Sequence, residues 1–158
     1  MRKPITYRNR AVISVDTNVL FAALNSATSQ HTQAHAFLQS LIQRKDVVIS
    51  ELVLLELYVL LRNAVVNQHP LSAPEASRVC NTFRLNPHWQ VVSLPQDSRR
   101  FHDALWQSLA HGDMPRRRAF DMRLALSLID SGVKAFATVN LKDFVEAGFE
   151  QVFNPLNV

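Results

Sequence analysis

Four carboxylates in this chain stand where a negative charge is costly or is aimed at a common edge. Asp16 interrupts the apolar run Ala11 to Leu24, AVISVDTNVLFAAL. Glu56 is the one charged residue in Leu52 to Leu61, LVLLELYVLL. Asp121 lies in RRRAFDMRLALSLI, and Asp143 lies in Thr138 to Phe144, TVNLKDF, just after Asn140. Each has an ordinary role open to it. Asp16, Asn140 and Asp143 could cap helices, Glu56 could face water, and Asp121 could pair with Arg117 or Arg118. Together they could do more. Gathered carboxylates repel one another and need a cation. An all-oxygen donor set without a cysteine cluster or grouped histidines selects a hard divalent ion, Mg²⁺ or Mn²⁺.

Whether they gather depends on the elements that carry them. Val12, Ile13 and Val15 are β-branched and read as a short strand buried on both faces. Asp16 or Thr17 then caps a helix continuing to Leu24. A helix over about Gln33 to Arg44 leads to a second strand, Val47 to Ile49, and Ser50 caps a long helix from about Glu51 to Gln68, stopped at Pro70. Its near-continuous apolar stretch predicts burial on most sides, Glu56 included. Glu51, in the first turn, suits an exposed place that complements the helix dipole. Ser72 with Glu75 forms a capping-box pattern for a helix of about Pro74 to Leu85.

Trp89 to Leu94 reads as a third strand, followed by a helix over about Ser98 to His111. Asp113 is placed to cap the next helix, with Pro115 near its first turn and Ser131 near its end. Lys134 to Val139 is a fourth strand, Asn140 to Glu146 a short helix, and Gln151 to Phe153 a fifth strand. Strands separated by helices predict right-handed crossovers and a three-layer α/β domain, with a four- to five-stranded, mainly parallel sheet. The order 3-2-1-4-5 would set the first and fourth strands side by side at a switch point. Asp16, Thr138, Asn140 and Asp143 then share the carboxyl edge, with Glu56 above it and Asp121 in a helix returning from it.

Composition bounds the rest. With 158 residues, 47% hydrophobic and 19% charged, the chain is globular rather than disordered. Residues 11–158 are expected to form one domain after a basic arm, residues 1–10. Three glycines, and no GxGxxG or GxxxxGK[ST] string, argue against a glycine-rich phosphate loop. The single Cys80 excludes an internal disulfide and a cysteine-rich zinc site, and fits a reducing cytoplasm. A net charge of +4 favours a polyanionic partner such as nucleic acid. The basic start resembles a signal peptide superficially, but Asp16 and Asn18 interrupt the apolar stretch, so export is not expected. No uninterrupted apolar stretch is long enough to predict a membrane span.

The ordered strings VDTNVL with Asp16, SELVLLEL with Glu56, AFDMRLA with Asp121 and TVNLKDF with Asp143 resemble the PIN-domain ribonucleases. The resemblance is greatest to toxins of the VapBC type and covers roughly residues 11–155. The T-x-N-x-x-D-F string is its most specific part, matched by Thr138, Asn140, Asp143 and Phe144. The resemblance implies a PIN-like fold and Mg²⁺- or Mn²⁺-dependent hydrolysis of RNA. It implies metal-binding acids at Asp16, Glu56, Asp121 and Asp143, with polar helpers at Thr138 and Asn140 and, less specifically, Asn18. It also implies a cognate antitoxin and a homodimer held by helices. Departures are modest: Met122 and Arg123 stand where the family often has a small residue after the acid, and the arm before Asp16 is longer than in short members.

An acidic site that takes a polyanion needs basic groups around it. Arg116, Arg117 and Arg118 are candidates for RNA contact, although such a run also suits a solvated helix start. Two other functions remain open. A Mg²⁺-dependent phosphatase could use Asp16 as nucleophile, but the second carboxylate usual two residues on is here Asn18. A non-catalytic RNA-binding or scaffold module could keep the fold, at the cost of burying like charges for nothing.

Overall fold

The structure, a computed structural model, describes residues 11–93 and 95–157. The basic arm expected over residues 1–10 lies outside the described residues. In chain order the elements are β1 (Ile13–Val15), α1 (Thr17–Leu24), α2 (His31–Leu41), β2 (Val48–Ser50), α3 (Glu51–Arg62) and α4 (Ala73–Arg84). They continue as β3 (Gln90–Val92), α5 (Ser98–Leu109), α6 (Arg118–Asp130), β4 (Ala135–Ala137), α7 (Leu141–Phe144) and β5 (Gln151–Phe153).

All the strand pairings are parallel: β1 with β4, β4 with β5, and β2 with β3. A parallel bridge between Ile13 and Val47 sets β2 alongside β1, consistent with the order 3-2-1-4-5. β1, β2 and β4 are buried at every residue, as parallel strands covered on both faces must be. The outer strands β3 and β5 are only partly covered. Phe136 of β4 anchors the core, stacked on Phe149 at 5.0 Å and edge-on to Phe144 at 4.7 Å. No helix among the described residues is long and apolar enough to cross a membrane.

Local chemistry accounts for most boundaries. Ser50 caps α3 by accepting from the Leu52 N–H, and Ser72 with Glu75 forms a complete capping box on α4. α3 ends at Arg62, short of the expected Gln68. There Asn63 turns the chain, its side-chain oxygen accepting from the Val65 N–H, and Asn67 donates to the Leu61 carbonyl at 2.9 Å. Side-chain bonding by these asparagines competes with the helical ladder well before Pro70.

Asp113 does not cap α6, which begins only at Arg118. Residues 111–117 instead make successive turns, with Met114 N–H donating to His111 and Arg118 N–H to Pro115. Pro115 supplies no N–H of its own, so the regular ladder starts after it.

Candidate active site

Asp16 is the residue after β1, and Thr138 the residue after β4. The strands pair with Val15 opposite Ala137, so their next residues emerge side by side at the carboxyl edge. Asp16 is only 7% exposed. Its Oδ1 accepts from the Thr17 N–H at 2.8 Å, capping α1, and its Oδ2 accepts from Thr138 Oγ1 at 2.7 Å. Thr138 Oγ1 in turn accepts from the Asn140 N–H at 3.0 Å. Asn18 Oδ1 accepts from the Val139 N–H at 3.3 Å, tying α1 to the same β4 exit.

Glu56 departs from expectation. It is exposed rather than buried, because α3 is two-faced. Val53, Leu54, Leu57 and Leu61 face the core, whereas Leu55 and Val59 are 62% and 59% exposed. An apolar count alone does not show which side a helix turns inward. The Glu56 carboxylate still reaches the edge, since its Oε2 accepts from Thr17 Oγ1 at 3.0 Å. Thr17 is the residue at this edge that sequence reading left as a mere cap alternative. Its burial beside Asp16 holds the one hydroxyl that links α1 to Glu56. The available signal was a polar β-branched residue inside an apolar run, whose hydroxyl had to find a partner.

Asp121 lies in the first turn of α6, and Asp143 in α7. Electrostatics connects the four acids. Burial, reinforced by the charges of Glu56 and Asp121, pushes Asp16 up from 3.8 to about 6, even though the Thr138 and Thr17 hydrogen bonds oppose the shift. Asp121 is also raised, first by burial and then by Asp143 and Glu56, while Arg118 pulls it down. Each acid therefore lies in the field of at least one other.

Among the described residues, no three Asp, Glu, His or Cys side chains close into a metal cage. The donor set nonetheless fits a hard divalent ion. It is all oxygen, and among the described residues no cation is one of the groups acting on buried Asp16. Asn140 is exposed and makes no side-chain capping bond to α7, so capping does not explain it. Arg116 and Arg117 are exposed, whereas Arg118 is partly buried and its Nε has no hydrogen-bond partner among the described residues.

The three-layer α/β fold carries Asp16 and Thr138 at the carboxyl edge of its parallel strands, and residues 13–148 match the PIN domain family. The chain belongs to that family and is an enzyme of its nuclease kind. Over 145 residues it is 43% identical to Ribonuclease VapC24 of Mycobacterium tuberculosis, an alignment covering 92% of this chain and 97% of that relative.

Solved structures with the same fold include VapC20 of Mycobacterium tuberculosis, a sarcin-ricin loop cleaving toxin. It matches with a TM-score of 0.63 at 22% identity, over 87% of this chain and 95% of its own. FitAcB from Neisseria gonorrhoeae matches with a TM-score of 0.63 at 20% identity, covering 92% and 99%. VapBC2 from Rickettsia felis, bound to a DNA fragment from its promoter, matches with a TM-score of 0.61 at 16% identity, covering 90% and 97%.

Proposed function

We propose that this chain is a divalent-metal-dependent ribonuclease and the toxin of a VapBC-type toxin–antitoxin pair, acting in the cytoplasm. The observation that carries the reading is Asp16: a buried carboxylate without a cationic partner among the described residues, oriented by Thr138 and crowded by Glu56 and Asp121. A buried charge of that kind costs stability unless a ligand compensates it. Asp16, Asp121, Asp143 and Glu56 would hold Mg²⁺ or Mn²⁺. When bound, the ion supplies a Lewis acid for the scissile phosphate and lowers the pKa of an attacking water.

The chain's own residues do the positioning. Thr138 and the Thr17 N–H fix both oxygens of Asp16. The Thr17 hydroxyl holds one oxygen of Glu56, leaving the other to orient water or take its proton. Asn140, exposed at the β4 exit, is free to donate to a phosphate oxygen. Arg116 and Arg117 stand in solvent where RNA phosphates would approach, while Arg118 acts on Asp121.

Asn18 argues against the phosphatase alternative. Its side-chain oxygen joins α1 to the β4 exit and supplies no second carboxylate. The exposed Leu55 and Val59 offer a face for a second copy of the chain. The fold shared with VapBC2, together with the VapC relative, supports an antitoxin partner.

The test is cleavage of single-stranded and structured RNA by the purified protein with Mg²⁺, with Mn²⁺ and with EDTA. Cutting should require the metal and disappear in Asp16→Asn and Asp121→Asn. Metal-independent cutting, or full activity in both variants, would refute the proposal.

A further inference from the structure

A cleft of about 390 Å³ opens between α3 and α6, walled by Leu52 and Glu56 from one helix and by Phe120, Asp121, Arg123 and Leu124 from the other. Two of the four acids thus share a hollow with side chains for which the chemistry above has no use. Phe120 is 80% exposed, immediately before Asp121 in the chain. Arg123 is partly buried and forms no ion pair among the described residues.

An aromatic face and a guanidinium with no ion pair among the described residues match the base and the phosphate of a nucleotide. Every base has a π-face that stacks on an aromatic ring, and every phosphate suits a planar fork of N–H donors. A purely apolar protein segment would have no use for Arg123 and would leave Glu56 and Asp121 facing it.

We propose that this cleft is a nucleotide subsite, in which Phe120 stacks on the base flanking the scissile phosphate and Arg123 holds that nucleotide's phosphate. The inference rests on the ribonuclease reading and deepens it. A strand anchored at Phe120 passes Asp121 and Glu56 in one register, so the stacked base fixes which bond reaches the acids. Purines, which stack more strongly than pyrimidines, would be preferred at that position.

The test measures binding of a short single-stranded RNA carrying 2-aminopurine to the full chain in EDTA, where binding is separated from cutting. Phe120→Leu keeps an apolar side chain but removes the ring. It should weaken binding roughly tenfold and abolish 2-aminopurine quenching, with the salt dependence unchanged. Phe120→Trp should retain both. Arg123→Gln should flatten the slope of log K against log salt by roughly 0.7. With Mg²⁺, Phe120→Leu should raise KM more than it lowers kcat.

A folded Phe120→Leu variant that binds RNA like the wild type would overturn the proposal. So would one that changes only the sedimentation of the protein, since the cleft would then seat a second copy, or only antitoxin binding. Wild-type protein that neither binds nor cuts RNA would instead overturn the ribonuclease reading, and this subsite with it.

Discussion

Thr138 Oγ1 donates to Asp16 Oδ2 at 2.7 Å, joining residues 122 positions apart. Strand register creates the contact, because each residue directly follows a member of the Val15–Ala137 pair. Thr138→Val keeps the shape of the side chain but removes the donor to Asp16 and the acceptor for the Asn140 N–H. The substitution should cost about 2 kcal/mol in denaturant unfolding at neutral pH, the range for a buried hydrogen bond to a charged group. Thr138→Ser should recover most of it.

Stability in the absence of metal should fall as pH rises through the acidic range. Asp16 titrates near 3.8 when unfolded and near 6 when folded, so the folded chain binds the proton more tightly. The unfolding free energy therefore decreases between those two values. Above about pH 6 the loss is complete, on the order of 3 kcal/mol. Asp121, raised by burial and by its acidic neighbours, contributes with the same sign. Melts in EDTA should show Asp16→Asn at least as stable as the wild type at pH 7.5, with the gap closing toward pH 4. A variant strongly destabilised at pH 7.5 would mean that capping α1, rather than carrying charge, is the main task of Asp16.

Divalent metal should reverse that penalty. An ion that binds only the folded state, at a free concentration a hundredfold above its Kd, stabilises by about 2.7 kcal/mol. Mg²⁺ or Mn²⁺ should raise the wild-type melting temperature, more at pH 7.5 than at pH 5, where protons compete for Asp16. Asp16→Asn and Asp121→Asn should lose most of the increase. Equal shifts in all three proteins would place the ion elsewhere.

What the sequence disclosed, and what it hid, follows from how local each signal is. The Ser50 cap, the Ser72–Glu75 box and the Gln151–Phe153 strand were legible because neighbouring residues determine them. The shared edge of Asp16 and Thr138 was legible because alternation of strands and helices leaves few topologies. Glu56 was misplaced because helix periodicity gives a face only once the core's side is known, and Leu55 and Val59 put apolar residues on the exposed side of α3 as well as the buried one. The start of α6 was misplaced because Asp113 and Pro115 together fit both a capped helix and the series of turns observed. Thr17 was underrated because its partner comes from α3, far along the chain.

Arg116 and Arg117 should govern affinity without governing chemistry. Both are exposed just before α6, near Asp121. Each phosphate contact on a single strand contributes roughly −0.7 to the slope of log K against log salt. Replacing both with Ala should flatten that slope by about 1.4 and weaken binding to all RNA sequences similarly. Asp121→Asn should abolish cutting and, in EDTA, leave binding intact or tighter, because a negative charge has gone. An unchanged slope in the double Arg variant would remove these residues from the RNA path.

Leu55 and Val59 should govern assembly without governing the fold. They are 62% and 59% exposed on α3, one turn apart, while Val53, Leu54, Leu57 and Leu61 hold the same helix to the core. Exposed apolar side chains become favourable when a partner covers them, at about 25 cal/mol per Å² of apolar surface. Leu55→Ser with Val59→Ser removes that gain but leaves the core residues in place, and serine at exposed helical sites costs only tenths of a kcal/mol each. If the wild type forms the proposed dimer through this face, the expected outcome is a shift from dimer to monomer in sedimentation equilibrium, with the monomer's circular dichroism unchanged. Glu56 lies between the two on the same helix, so dissociation should also increase water access to its carboxylate. If the dimer shields the site, the double variant should lose kcat more than KM. If sedimentation does not change, the contact between copies lies on another face and α3 is exposed for a different partner.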